Sequence, residues 1–222
     1  SNRSEHNTQK LARGGNMTVL SKEEILRRLF TSNTQEKLVI TPLISKSQVS
    51  AGSVDLRLGT EFIITKRTKY SLLDPAQQNI EAEIAQYQEK IHVPFREKLI
   101  LRPNQLILGS TLEYIKLPED LMGYVIGRSS WGRLGLIIAT ATLVSPGYAG
   151  VLTLELVNLG EADIALYPAA RIAQLVLHRV TGGESSYLKK PLPKYAGATG
   201  PEFSKLHKDE EWRILSGDPQ SL

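Results

Sequence analysis

The sequence predicts a mainly β domain of the sandwich, jelly-roll or distorted-barrel kind. Three observations point there. From residue 97 on, short apolar runs follow one another: KLILRP, QLILGSTLEYIKL, GYVIGRSS, LGLIIATATLV, GVLTLELVN, DIALYP and RIAQLVLHRV. Pro103, Pro118, Pro146, Gly147, Gly150, Gly160 and Pro168 punctuate them, as turn residues do between strands. Within several runs apolar and polar side chains alternate with a period of two, the signature of a half-buried strand rather than of alternating βαβ units.

The elements follow in chain order. Residues 1–16 (SNRSEHNTQKLARGGN) are polar and aperiodic; they read as an appended remnant or a disordered extension, with the folded domain expected over 17–193. A short helix is expected next. Ser21 is a good N-cap, Glu24 completes a capping box, and Ile25, Leu26 and Leu29 fall at helical spacing. LVITPL then reads as a strand stopped by Pro42. In residues 53–65, Val54, Leu56 and Leu58 alternate with Asp55 and Arg57, and Gly59 is expected to break the strand. Residues 74–92 carry Ile80, Ile84 and Tyr87 at helix-like intervals and read as a weak helix or a long excursion. Residues 182–222 lose apolar periodicity, and 194–222 are expected to be a mobile closing segment.

Composition bounds the function. Of 222 residues, 41% are hydrophobic and 23% charged, which permits an ordinary core. Cysteine is absent, so neither a disulfide framework nor a thiol nucleophile can be built, in keeping with a cytoplasmic setting. No run of about 18 apolar residues suggests a membrane span, and the first residues contain no apolar core of a secretory signal. The formal charge of +4 suits a polyanionic small ligand, a nucleic acid, or simply a basic surface.

Two places can carry chemistry. In GRSSWGRLG, residues 127–135, glycines flank Arg128, Arg133 and the pair Ser129–Ser130. Backbone N–H groups, two hydroxyls and guanidinium forks can cradle phosphate oxygens. The same stretch also reads as a Gly-rich turn with solvated arginines, and it is not a P-loop. In VLTLELVN, residues 151–158, Leu152, Leu154 and Leu156 share one face, and Thr153, Glu155 and Val157 the other. A carboxylate in so apolar a strand calls for a cationic partner or a functional pocket; the plainer alternative is a glutamate on a wet face. His6, His92, His178 and His207 show no metal-ligand spacing. No H-x-E and no Cys pair occur, which excludes the zinc nucleobase-deaminase signature. Trp131 and Trp212 are too isolated to form a stacking platform for single strands.

These motifs resemble, in order and over about Leu20 to Ser204, the dCTP deaminase branch of the trimeric dUTPase superfamily. LSKEEILRRL with VITPL, SAGSVDLRLGTEF, the block LRPNQLILGSTLEYIKLPEDLMGYVIGRSSWGRLGL, SPGYAGVLTLELVN, LYPAARIAQLVL and KYAGATGP carry the similarity. The resemblance implies a distorted jelly-roll or β-barrel fold of the dUTPase-like type. It also implies a homotrimer with active sites between subunits, and triphosphate bound with Mg²⁺. The reaction it implies is zinc-independent deamination of dCTP to dUTP and ammonia. Carried over, Arg128, Ser129 and Ser130 would hold the triphosphate, and Ser129 would also touch the catalytic water. Arg133 would orient the cytosine and the glutamate, and Glu155 would be the general base. Lys194 and Tyr195 would contact phosphate from a lid running to Pro201. Neither nucleic acid nor membrane is implied as a partner.

Two departures shape the expectation. Ser145 stands where the family has an aspartate before the Pro-Gly turn. That aspartate is the base for pyrophosphate release in dUTPases, so Ser145 argues against a diphosphatase. Ala198 replaces the glutamine of the closing motif, removing an expected hydrogen bond. The alternatives are therefore a dUTPase-type nucleotide diphosphatase, or a catalytically silent nucleotide-binding or regulatory member.

Overall fold

The computed structural model describes residues 19–66, 72–76, 80–139, 143–180 and 197–209. Its elements, in chain order, begin with α1 (Lys22–Phe30), β1 (Val39–Thr41) and β2 (Ser53–Thr65). Next come α2 (Ile80–Tyr87), β3 (Gln88–His92), β4 (Leu99–Leu101), β5 (Leu106–Thr111) and β6 (Tyr114–Lys116). Then follow β7 (Leu121–Gly127), α3 (Ser129–Gly132), β8 (Leu136–Ile138), β9 (Leu143–Val144) and β10 (Ala149–Gly150). The last strands are β11 (Thr153–Asn158), β12 (Ile164–Leu166) and β13 (Arg171–Arg179). The mainly β expectation holds.

Among the described residues, the largest sheet runs β8-β11-β5-β2-β13-β7-β9, with β3 added to β2. Two smaller ladders, β1-β6-β10 and β12-β4, accompany it. Every pairing is antiparallel. One apolar face per strand builds the core. Val54, Leu56 and Leu58 of β2, Leu154 and Leu156 of β11, and Leu175 and Leu177 of β13 are all buried, as period-two alternation requires.

Two expectations are corrected, one of a strand and one of a helix. Gly59 does not end β2, which continues unbroken for 13 residues. The first half of β2 pairs with β13 and the second half with β5 and β3, with a register shift between Leu58 and Phe62. Gly59 sits at that changeover. A Cβ there would lie 2.8 Å from Ser110 Oγ and 3.1 Å from Ser110 O. The glycine therefore permits close approach of β5 at a bulge rather than breaking the strand. The stretch 74–92, expected to be a weak helix or a long excursion, is helical over Ile80–Tyr87 and then becomes strand, because Gln88 to His92 pair with β2 from Thr65 to Glu61. Strand pairing across the fold overrides a weak local helical period.

At α1 the cap is as expected: Ser21 Oγ accepts from the Glu24 backbone N–H at 3.3 Å. The Glu24 carboxylate makes different bonds, accepting from Arg27 at 2.8 Å, Arg28 at 3.1 Å and Arg179 at 2.8 Å. It thus joins the helix to β13. The hydrogen bond from Arg27, above all, holds its pKa at about 2, against an ordinary 4.5. The buried Arg28 also bonds Asp120.

Residues 197–209 lie against the body of the fold. The Gly197 N–H donates to Ala149 O at 3.0 Å, and the Val151 N–H to Ala198 O at 2.9 Å. The Glu202 N–H donates to Thr153 Oγ1 at 3.1 Å. Among the described residues, no helix is long and apolar enough to cross a membrane.

Candidate active site

The residues expected to cradle phosphate cluster where β7 ends. The backbone leaves β7 at Gly127, Arg128 takes an extended conformation as N-cap, and α3 makes a single turn closed by Arg133. What reads as a Gly-rich turn is therefore one turn of helix. The Arg133 N–H donates to Ser129 O at 3.0 Å, and the Trp131 N–H to Arg128 O at 3.0 Å. Ser129, Ser130 and Arg133 are exposed and Arg128 is half-buried. The motif's second half depends on a close backbone contact. Gly135 has φ +95, and a Cβ there would lie 2.5 Å from Gly160 N, so glycine is demanded both by conformation and by space.

Glu155 lies on β11, with Leu154 and Leu156 buried on the opposite face. Leu108 is directly across the ladder on β5. The glutamate is exposed on the wet face, and that face also forms a pocket. A cavity of about 530 Å³ is lined by Glu155, Leu106, Leu108, Leu143, Tyr148, Leu152, Thr153, Ala198 and Phe203, among others. Mostly apolar walls with a few polar groups, at this volume, are the usual makeup of a small-molecule site. Glu155 is thus both solvent-exposed and part of a cavity wall.

The structure brings the cradle residues together, and Glu155 only close to them. The Gly127 position contacts Ile138 of β8, with 3.6 Å from a Cβ placed there to Ile138 Cγ1, and β8 pairs with β11 through Ile138 and Leu156. The Ala139 N–H donates to Glu155 O at 2.8 Å. Yet none of Arg128, Ser129, Ser130 and Arg133 lines the Glu155 cavity. In one chain the candidate cradle and the Glu155 cavity are therefore neighbours and do not share one pocket. Lys194 and Tyr195 lie outside the described residues.

Both departures can be placed. Ser145 stands in the turn between β9 and β10, its carbonyl accepting from the Tyr148 N–H at 3.1 Å, and Leu143, Val144 and Tyr148 around it line the cavity. Ala198 is buried and lines the cavity directly, so the missing glutamine amide is missing from the pocket wall itself. Sequence reasoning missed Phe203 and Glu202 as cavity residues, since nothing in the chain's pattern sets them beside β11. It also missed Asp55 as a buried charge. Its one signal was a carboxylate between Val54 and Leu56, which period-two alternation assigns to solvent.

Comparisons with known proteins bear on family and fold. A family model described as dCTP deaminase-like matches residues 19–180. A dCTP deaminase of Natronomonas pharaonis is 41% identical over 197 residues, covering 87% of this chain and 97% of that protein. A protein of Dictyoglomus turgidum named dCTP deaminase, dUMP-forming, is 40% identical over 86% of this chain and 96% of its own. In structure, a 2'-deoxycytidine 5'-triphosphate deaminase from Agrobacterium tumefaciens matches with a TM-score of 0.55 at 21% identity. That match covers 74% of this chain and 48% of the other, so it spans about half the length of that structure's chain, and it shows the fold.

Proposed function

Since the chain belongs to the dCTP deaminase-like family, we propose that it deaminates dCTP hydrolytically, forming dUTP and ammonia. The observation that carries the reading is the Glu155 carboxylate on the wall of a largely apolar cavity, one β-ladder away from the Arg128–Arg133 cradle. Water needs a base to attack an aromatic amidine carbon at neutral pH. The chain has no cysteine, so it lacks the Cys pair with which zinc deaminases activate water. A carboxylate supplies that base.

The steps balance as follows. Glu155 takes a proton from water as the water oxygen bonds to C4 of the cytosine. The C4=N3 double bond opens as that bond forms, and the carboxyl passes the proton on to N3. The carboxylate then takes the proton of the new C4 hydroxyl and gives it to the exocyclic amine, and the bond from C4 to that amine breaks to release ammonia and leave the C4 carbonyl. Arg133 orients the ring and Glu155. Ser129 holds the water and, with Arg128 and Ser130, the triphosphate. Such prepositioned donors stabilise charge that develops only in the transition state. Lys194 and Tyr195 belong to the closing segment, which would cover the phosphates and exclude water.

Magnesium fits this arrangement as a companion of the substrate. Among the described residues, no group of three or more His, Asp or Glu could hold a metal, and the cradle consists of arginines and serines. A hard cation that keeps most of its water would ride on the triphosphate oxygens and offset their charge. A homotrimer completes the reading: the Glu155 cavity of one copy would meet the Arg133 cradle of the next. The setting we infer is cytoplasmic.

Turnover of dCTP in Mg²⁺, with nucleotides resolved by chromatography, tests the proposal. The wild type is expected to yield dUTP. Glu155→Gln should lose about 10²–10⁴-fold in rate, with nucleotide binding retained. Binding of dCTP without any product would reassign the protein as a silent nucleotide binder.

A second reading has its own support. The Dictyoglomus turgidum relative is named dUMP-forming, which would mean a further water attack at phosphate. Ser145 favours dUTP as the end product, because a hydroxyl is a far weaker base than the family's aspartate. Appearance of dUMP and pyrophosphate in the same assay would decide for the second reading.

A further inference from the structure

Asp55 is the least expected charge in the fold. It sits in β2 between Val54 and Leu56, and it is 3% exposed. Burying a carboxylate costs several kcal/mol unless charged partners surround it. Its partners come from β13 and from the N-cap of α3. Arg171 Nη1 lies 3.1 Å from Asp55 Oδ2, Gln174 Nε2 donates to Oδ1 at 3.2 Å, and Arg128 Nε lies 3.8 Å from Oδ1.

A bulge makes the cluster possible. In the ladder of β13 with β2, the register slips between Arg171 and Ala173. Strict alternation would set Arg171 and Gln174 on opposite faces of the sheet. The extra residue lets Ile172 and Ala173 both be buried, and Arg171 and Gln174 then meet the same carboxylate. Bulges commonly re-aim a side chain in this way beside functional sites. The Arg171 backbone is held as well. Its carbonyl accepts from Trp131 Nε1 at 2.8 Å and from Arg128 Nη1 at 3.4 Å.

Two guanidinium groups thus share one carboxylate beside Ser129 and Ser130, and one positive charge is left over. Each guanidinium carries five N–H donors. Both arginines keep exposed surface, 32% for the Arg128 side chain and 44% for Arg171. A pure stabilising pair would gain little from that exposure. An anion with several oxygens would complete it.

We propose that Arg171 is a second phosphate-binding residue beside Arg128, and that Asp55 is the positioning residue that holds the two guanidinium groups as a fork for a polyphosphate chain. The proposal rests on the nucleotide-triphosphate reading above and names a binding residue which that reading does not contain.

The test is calorimetric binding of inorganic tripolyphosphate and of dCTP, with deamination followed separately. Loss of a charge-assisted contact weakens binding by about tenfold or more, and that is expected of Arg171→Gln for both ligands, measured well below the variant's own melting temperature. In turnover, R171Q should raise KM for dCTP and leave kcat close to wild type. Asp55→Asn should weaken both ligands similarly, and Asp55→Glu should restore part of the loss. If D55N fails to fold, the surface variant R171Q carries the decision alone. R171Q that binds both ligands like the wild type overturns the inference, even if the wild type makes dUTP. Tripolyphosphate binding that depends on Arg171 in a protein that never deaminates dCTP supports the inference and removes the deaminase reading.

Discussion

Gly135 shows how one residue can hold a site in place. Its φ of +95 and the 2.5 Å approach of Gly160 N leave no room for a side chain. The Leu159 N–H donates to Gly135 O at 2.8 Å, which ties the end of the cradle to the end of β11. Gly135→Ala is expected to cost about 1–3 kcal/mol from backbone strain, with further cost from the contact, read as a lowered denaturation midpoint. Because this contact ties the cradle's end to the strand that carries Glu155, the variant should also lower dCTP turnover beyond what its folded fraction explains. A variant with wild-type midpoint and turnover would show that the close contact is dispensable.

At the scale of an element, α1 is held at both levels. Ser21 caps it, and Ser21→Ala should cost about 1 kcal/mol, checked by urea unfolding. Glu24 ties it to β13 and has its pKa lowered to about 2. A carboxyl with a depressed folded-state pKa stabilises the fold at pH values above its ordinary 4.5, and that stabilisation is lost as pH falls through about 2. Glu24→Gln should therefore be less stable than the wild type at neutral pH. The gap should close as the two are unfolded at progressively lower pH between those limits. A gap that stays constant across this range would mean that the carboxylate's charge contributes nothing.

At the scale of the whole molecule, the separation of Glu155 from the Arg128–Arg133 cradle has a direct consequence. If neighbouring copies complete the site, two inactive variants can rescue one another. Glu155→Gln and Arg133→Ala, each without turnover alone, should recover roughly a quarter of wild-type activity when mixed and reassembled in equal amounts, since that fraction of interfaces pairs two intact halves. Mixtures as inactive as their components would place the complete site within one chain.

The sequence by itself determined the mainly β class, most strand faces and the α1 cap, and it named the candidates for the cradle and for the base. These rest on local signals: alternation with period two, turn residues, and a short ordered set of motifs. Tertiary structure decided the rest, because it depends on which strands become neighbours. The continuation of β2 past Gly59, the strand at Gln88–His92 and the cavity around Glu155 all arise from long-range pairing. The Asp55 cluster shows the limit most directly. Arg171 and Gln174 reach one carboxylate only through a single-residue slip between β13 and β2, and a slip in register between two distant strands leaves no mark in the pattern of either.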